Sequence, residues 1–340
     1  MKTTNREQRQ QLKIQKELER ALKDAFYYGE QQKAKLEVDV HNAIIDSLLS
    51  VHHQVSDPID WLDLALALPP HEPAVYSINS LRKILSDFTM LASGEHLQLE
   101  LQKMKDADDN EYRTRFAEYQ KNADEWLTLK NLALRILQGD TVAYGEALRL
   151  FQPFRELSDL GSEIKFIAND SKKVSCSLLI NGLEIIPNQV KTLTTTGKLS
   201  VKSMPKSIFH DIYQDFACGC CLRIGREIMA LLPVDYVLTQ IEVTTKDPAS
   251  GNPTIITILS VLLDRMTMSS LNYSQLDPSD SMQNFAARGD VKISKKTGTF
   301  SPIAPLNFDD FDLASNEGQC LNSLKQKASN ILARYKASKK

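Results

Sequence analysis

The chain has 340 residues, 41 Lys and Arg against 43 Asp and Glu, and an apolar fraction of 42%. This length and composition allow two or three domains with ample core. No run of 18 apolar residues occurs, so no membrane-spanning helix is expected, and the charged, glutamine-rich start is unlike a signal peptide.

The cysteines indicate the redox compartment. There are five, an odd number, and three of them lie together at Cys218, Cys220 and Cys221. A secreted protein would pair such a cluster in disulfides. We therefore expect a cytoplasmic protein.

Residues 5–55 have the spacing of one long helix or of two nearly continuous ones. Apolar residues recur three or four positions apart, and a polar stretch at residues 29–33 interrupts them. The apolar positions are Ile14, Leu18, Ala21, Leu22, Ala25, Leu36, Val40, Ile44, Leu48 and Val51. A coiled coil needs three or four sustained heptads, which this pattern does not reach. The helical arm is expected either to pack on its own domain or to form a dimer seam.

The same arm is basic at its start. Residues 1–36 carry nine Lys or Arg against five Asp or Glu. In a nucleic-acid-binding module the phosphate contacts would come from Arg6, Arg9, Lys13, Lys16 and Arg20. A solvated helix face is the simpler interpretation, so nucleic acid is the weaker partner hypothesis.

Helical spacing continues through most of the next hundred residues. A short helix begins near Asp60, and a proline-rich connector follows at residues 69–73. Residues 74–104 and 111–137 then predict an antiparallel αα-hairpin whose turn lies at residues 106–110. Gly139 ends the hairpin, and Asp140 caps the helix that follows.

The apolar period changes to two near Ser162, which predicts a β-meander. Apolar residues alternate at 164–168 and again at 174–180, on either side of a polar turn. The pair Asn181-Gly182 then stands between two apolar runs, a strong signal for a β-hairpin.

One long central helix and a β-hairpin organise the second half of the chain. The helix begins near Lys206 and ends before Pro233, and we attribute Gly219 and Gly225 to close packing against a sheet. Two apolar runs, 235–245 and 254–263, predict the strands of the hairpin, and the second run is expected to be covered on both faces.

The remaining residues predict shorter closing elements. Asp277 and Pro278 begin a helix expected to reach about Ala287. Two strand-like pieces are expected at 291–294 and 300–303, an acidic loop at 307–317 and a last helix at 320–335.

The predicted fold is therefore mixed α+β. An N-terminal helical arm and αα-hairpin occupy residues 1–160, an all-helical domain. A mixed α/β domain with a β-meander, the central helix and the β-hairpin follows at residues 161–306, and an acidic loop with a closing C-terminal helix at residues 307–340.

The cysteine cluster invites a metal or redox interpretation, with His210 as a further ligand. On a helix, however, residues 218, 220 and 221 point about 0°, 200° and 300° around the axis, so they do not converge on one ion. Structural zinc sites place their cysteines on turns. We interpret these cysteines as small apolar residues of a buried helix face.

Two other constellations can be compared with known chemistry. A metal-dependent nuclease would need Asp235, Glu242 and Asp264 to converge. The order Ser203/Lys206, then Ser270/Asn272, then 296–298 resembles that of penicillin-binding serine enzymes, but the match is short, and Pro205 crowds the turn. We interpret the second pattern as a coincidence.

No phosphate-binding, dinucleotide-binding, nucleophile-elbow or zinc-protease motif occurs. The catalytic residues are therefore unknown, and we expect no cofactor and no bound metal. The favoured hypothesis is an interaction or scaffold protein that binds a protein partner or a second copy through its helical region. The alternatives are a metal-dependent nuclease or other hydrolase in the α/β domain, and a nucleic-acid-binding module. No membrane association is expected, and whether the chain is an enzyme stays open.

Overall fold

The computed structural model describes residues 2–74, 94–155, 161–247, 250–291, 300–311 and 313. Its first element, α1 (Lys2–Leu49), is a single helix of 48 residues. At a rise of 1.5 Å per residue it is about 72 Å long. The polar stretch at residues 29–33 does not interrupt it, so of the two predicted forms the single helix is correct.

Three further helices follow in the described part of the N-terminal region. They are α2 (Trp61–Leu66), α3 (Gly94–Leu137) and α4 (Thr141–Phe151). The caps agree with the sequence, because Asp60 accepts from Leu62 N and Asp63 N, and Asp140 accepts from Val142 N.

The turn predicted at residues 106–110 is wrong, because α3 runs through it without a break. The segment is polar but holds neither glycine nor proline, and an exposed helix accommodates polar side chains without difficulty. Residues 75–93, which carry much of the first predicted hairpin helix, lie outside the described residues. Helix α3 packs against α2, where Trp126 Nε1 donates to the Ala67 carbonyl at 3.0 Å.

A five-stranded mixed sheet forms the centre of the fold. Its strands are β1 (Gly161–Ala168), β2 (Lys173–Ile180), β5 (Tyr236–Lys246), β6 (Pro253–Asp264) and β7 (Ala286–Arg288), side by side in that order. Strands β2 and β5 are parallel, and the other neighbours are antiparallel. The predicted strands at 235–245 and 254–263 are confirmed, as is the interior position of the second.

The hairpin predicted at Asn181-Gly182 is wrong. Strand β2 ends at Ile180, and the next residues form a 3-10 turn, Leu183–Ile185. The Tyr213 hydroxyl donates to the Asn181 carbonyl at 2.9 Å, and Gly182 has a φ of −67°, whereas a type I′ hairpin turn needs positive φ. The hairpin that does form here is β3 (Gln189–Leu193) with β4 (Leu199–Ser203), whose turn contains Gly197 at φ +76°.

The central helix α5 (Lys206–Leu231) covers one face of the sheet and ends before Pro233, as predicted. Facing it are alternate residues of the two central strands: Val174, Cys176, Leu178 and Ile180 of β2, and Val237, Thr239, Ile241 and Val243 of β5. The C-terminus of α5 is closed by Arg265, the first residue of α6 (Arg265–Ser270), which donates to the carbonyls of Met229, Leu232 and Val234. One continuous buried cluster joins α5 and the sheet to Leu48, Trp61, Ile136 and Tyr144 of the helical region.

The closing elements are shorter than predicted. Asp277 caps α7 (Pro278–Ser281) by accepting from Asp280 N, but this helix does not reach Ala287. A 3-10 turn follows, and residues 286–288 join the sheet as β7 because the edge of β6 offers them main-chain partners at residues 260–262. The predicted strand at 291–294 and the helix at 320–335 lie almost wholly outside the described residues.

The other face of the sheet is covered in part by the chain after β7. Leu306 is buried against Leu238 and Leu262, and Phe308, Phe311 and Leu313 pack around them. A 3-10 turn, Phe308–Asp310, lies within the predicted acidic loop. No helix in the described part of the chain combines the length and the apolar character that a membrane crossing needs.

Two glycines of α5 allow a matched test of packing. A Cβ on Gly225 would collide with Leu263 Cδ1, whereas a Cβ on Gly219 would meet His52 Nδ1 at an ordinary 3.7 Å. Close packing therefore explains Gly225 but not Gly219. We expect Gly225→Ala to lower the free energy of unfolding by about 2 kcal/mol through overpacking. Gly219→Ala should raise it by up to about 1 kcal/mol, because alanine favours the helix.

Urea denaturation of the two variants and of the parent chain measures both effects. Equal stabilities for Gly219→Ala and Gly225→Ala would contradict the packing argument.

Candidate functional site

Four large apolar side chains of α1 are open to solvent. Phe26 is 72% exposed, Leu36 64%, Val40 52% and Ile44 44%. All four project from one side of one helix, and we call them together the α1 outer stripe. Leu36, Val40 and Ile44 follow one another at four-residue intervals, and the polar stretch at residues 29–33 separates them from Phe26. Contiguous exposed apolar surface of this kind is typical of a protein interaction site.

The opposite side of α1 holds the helix against the rest of the protein. Ala34, Val38, His41 and Leu48 are buried there. The β3–β4 hairpin adds polar contacts, because Tyr27 Oη and Gln31 Nε2 both donate to the Thr196 carbonyl, at 2.7 and 2.9 Å. Lys191 Nζ also pairs with Glu37 Oε2 at 3.1 Å. The outer stripe is thus presented by a helix whose other face is fixed.

A groove of about 390 Å³ lies between α1 and the turn of the hairpin. Phe26, Lys33 and Glu37 form its helix side, and Lys198 and Leu199 form its hairpin side. Because Phe26 belongs to both, the groove is continuous with the outer stripe and extends the candidate surface sideways.

A second cavity, of about 500 Å³, lies on the sheet face opposite α5, over β1, β2 and β5. Its lining includes the polar residues Ser175, Ser177 and Gln240 beside the apolar Ile167 and Leu238. Charges of both signs, from Lys165 and Asp309 among others, are present at its walls. This mixture of positive, negative and polar groups does not indicate one class of ligand.

The cysteines are part of the core. Cys176, Cys218, Cys220 and Cys221 are free and buried. Burial raises the pKa of the Cys221 thiol to about 12 and raises the pKa values of the other three as well. They therefore act as packed apolar groups, because a reactive thiol needs a lowered pKa and access to solvent.

The three carboxylates of the nuclease hypothesis do not converge. Asp235 pairs with Lys172 Nζ at 3.4 Å, and Asp264 caps α6 by accepting from Thr267 N at 2.8 Å. Both lie at the end of the sheet where Tyr236 faces Asp264, but Glu242 is six residues further along β5, about 20 Å away. Among the described residues, no three His, Cys, Asp or Glu side chains are grouped to hold a metal ion.

The serine-enzyme pattern is also dispersed. Ser203 and Lys206 lie at the start of α5. Ser270 is the last residue of α6, and α6 contacts α5 near Gly225, through Met268. Nineteen helical residues separate Lys206 from Gly225, which is about 28 Å. Residues 296–298 lie outside the described residues.

A buried polar cluster joins the segment after α1 to α5. Glu227 is fully buried, its Oε1 lies 2.7 Å from Arg223 Nε, and both of its carboxylate oxygens accept from Ser56 N at 3.2 Å. The guanidinium of Arg226, the residue before Glu227, lies 3.9 Å from the centre of the Tyr273 ring and donates to the carbonyls of His52 and His53. These groups fasten the loop at residues 52–56 onto α5.

His52 is the titratable centre of this cluster. It is 2% exposed, and neither ring nitrogen makes a well-aligned hydrogen bond. Burial, followed by the nearby His53 and Arg226, lowers the pKa of His52 to about 4. The imidazole is therefore neutral near pH 7. Because the contacts of this cluster join residues 52–56 to α5, we assign it a structural role.

The sequence pattern included Leu36, Val40 and Ile44 but not Phe26, and it placed them on the same face as Leu48 and Val51, which are buried. It overlooked the cluster around Glu227. The available signal was an Arg-Glu pair four residues apart in the second, largely apolar half of the helix.

Comparison with protein-family models, with curated proteins and with solved structures finds no match. A functional assignment therefore depends on the geometry of this chain alone.

Proposed function

We propose that this chain is an interaction or scaffold protein and that the α1 outer stripe is its assembly surface. The occupant is an amphipathic helix whose apolar face lies along α1. The observation that carries the proposal is the exposure of Phe26, Leu36, Val40 and Ile44 on a helix that is fixed from its other side.

The energetics support this assignment. Full burial of an aliphatic or aromatic side chain contributes about 1.5–3 kcal/mol, and roughly half of that is available at each of these partly exposed positions. A helix fixed in advance also loses little conformational entropy on binding. The proposed setting is the cytoplasm, whose reducing conditions suit a core with four free cysteines.

Val40→Asp is expected to remove the association and to leave the fold intact. A charge at the centre of an apolar contact has to be desolvated, which should weaken binding at least tenfold. The matched control is Asn42→Asp, which adds the same charge at an exposed position of α1 away from the stripe. Light scattering gives the mass of each species, and comparative recovery of partners from extracts of the native cells gives hetero-association.

The proposal requires that Asn42→Asp behave as the parent chain in both measurements. Circular dichroism and thermal unfolding verify that Val40→Asp is folded. If the folded Val40→Asp variant keeps every association of the parent chain, the α1 outer stripe is not the assembly surface and the proposed function is wrong.

A further inference from the structure

Gly29 is not explained by any contact with the described residues of a single copy. It lies inside α1, and a Cβ added to it would meet nothing within 4 Å. Glycine is the poorest helix former after proline, and one reason for an interior glycine is the close approach of another backbone. In the described residues of the protomer, nothing approaches Gly29 on this side of the helix.

The apolar positions of α1 are arranged symmetrically about Gly29. Leu36, Val40 and Ile44 follow it, and Leu22, Leu18 and Ile14 precede it at the same intervals. At 100° per residue all six positions lie within about 60° of Gly29 around the helix. Tyr27, Gln31 and Val38, which face the body of the protein, lie on the opposite side.

This pattern suits a helix that crosses an antiparallel copy of itself. In an antiparallel pair with its two-fold axis at Gly29, position 36 of one helix meets position 22 of the other, 40 meets 18, and 44 meets 14. Each of these three layers is then apolar on both sides, as an isologous interface requires, and beside the axis Ala25 of one helix meets Lys33 of the other. The small residues at the axis, Ala25 and Gly29, allow the two backbones to approach closely.

The spacing also sets the shape of the pair. The triplets 14/18/22, 25/29/33 and 36/40/44 follow one another at a constant interval along the chain. That interval is an 11-residue period, or about 3.67 residues per turn, which gives nearly straight or slightly right-handed pairing rather than a left-handed heptad coil. The 11-residue period explains why residues 5–55 do not sustain the heptads that a left-handed coiled coil needs.

Charge supports the antiparallel orientation. Before Gly29, residues 2–28 carry seven Lys or Arg and four Asp or Glu. After it, residues 30–49 carry two Lys and four Asp or Glu. Antiparallel pairing places the basic half of each helix beside the acidic half of the other, whereas parallel pairing places like beside like.

We propose that the helix received by the α1 outer stripe is α1 of a second copy, antiparallel, with the two-fold axis at Gly29. This inference rests on the proposed function and names the partner of the same surface. It also assigns the basic start of α1 to the acidic half of the other copy rather than to nucleic acid.

Cysteine cross-linking of the full chain tests the orientation, in a Cys320→Ser background so that the remaining native thiols are the four buried ones. Gly29→Cys should cross-link to itself on mild oxidation or with a short bis-maleimide, because the two copies of position 29 meet at the axis. Leu36→Cys should not cross-link to itself, but the double variant Leu22→Cys/Leu36→Cys should. Asn42→Cys is the matched negative control.

Light scattering of the uncross-linked chain should give twice the chain mass of 38.3 kDa. A chain that stays monomeric at high concentration would overturn the second-copy proposal, and so would a dimer in which Leu36→Cys links to itself, since that shows parallel helices. Neither result removes the proposed function, which fails only if Val40→Asp keeps all associations of the parent chain.

Discussion

Replacing Arg223 with leucine is expected to lower the free energy of unfolding by about 3–5 kcal/mol. Glu227, its partner, has a side chain that is 0% exposed, and the two charged groups are 2.7 Å apart. Without the guanidinium, the buried carboxylate keeps the N–H of Ser56 and a positive charge on Arg226, the residue before it in the helix. Urea denaturation at pH 7 measures the loss as a shift of the midpoint.

A double-mutant cycle distinguishes the ion pair from simple packing. The double variant Arg223→Leu/Glu227→Leu removes both charges, so it should be clearly more stable than Arg223→Leu alone, even though it carries one more substitution. If the double variant is the less stable of the two by the full cost of a second core substitution, the two side chains are not coupled and the expected value for Arg223→Leu has another origin.

Acid is expected to destabilise the fold through His52 by about 3 kcal/mol between pH 6.5 and pH 4. The pKa of this imidazole is about 4 in the folded protein, against an ordinary value of 6.5 when the chain unfolds. Above pH 6.5 the ring is neutral in both states and contributes nothing. As the pH falls below 6.5, the unfolded chain binds the proton first, so stability is lost progressively until the folded pKa is reached, at about 1.4 kcal/mol per pH unit.

The variant His52→Gln removes the titrating group and should flatten this part of the stability curve. The readout is the slope of unfolding free energy against pH, which stays informative even if the substitution lowers stability at every pH. His71→Gln, at an exposed position of the proline-rich connector, serves as the control and should retain the parent slope. Parallel curves for the parent chain and His52→Gln would show that another group controls the acid response.

The parts of the fold that sequence predicted well are those governed by local signals. The central helix has an uninterrupted helical period and a proline just past its end, and β5 and β6 are long apolar runs joined by a dense turn. The failure at Asn181-Gly182 has a non-local cause, since the turn preference of this pair is overridden by the parallel pairing of β2 with β5 and by the hydrogen bond from Tyr213.

The sequence predicted which residues share a stripe of α1 but not that this stripe is exposed, again because the cause is not local. Spacing located Leu36, Val40 and Ile44 on one stripe of α1, but apolar residues also occupy the other side at Val38 and Leu48. Which side a helix buries depends on what packs beside it, here the β3–β4 hairpin, and a one-dimensional pattern does not hold that information.

The parallel pairing of β2 with β5 constrains the order in which the chain folds. Lys173 faces Tyr236, which comes much later in the chain, so the middle of the sheet closes only after the β3–β4 hairpin and α5 have been synthesised and placed. The bond from Trp61 Nε1 to the Leu231 carbonyl spans 170 residues. Pairings so distant in sequence make folding slow, because loop-closure entropy is lost before the contacts form. A nascent chain that has not yet reached Leu231, the end of α5, exposes the apolar face of β2, and this is the stage of its synthesis at which a chaperone is most needed.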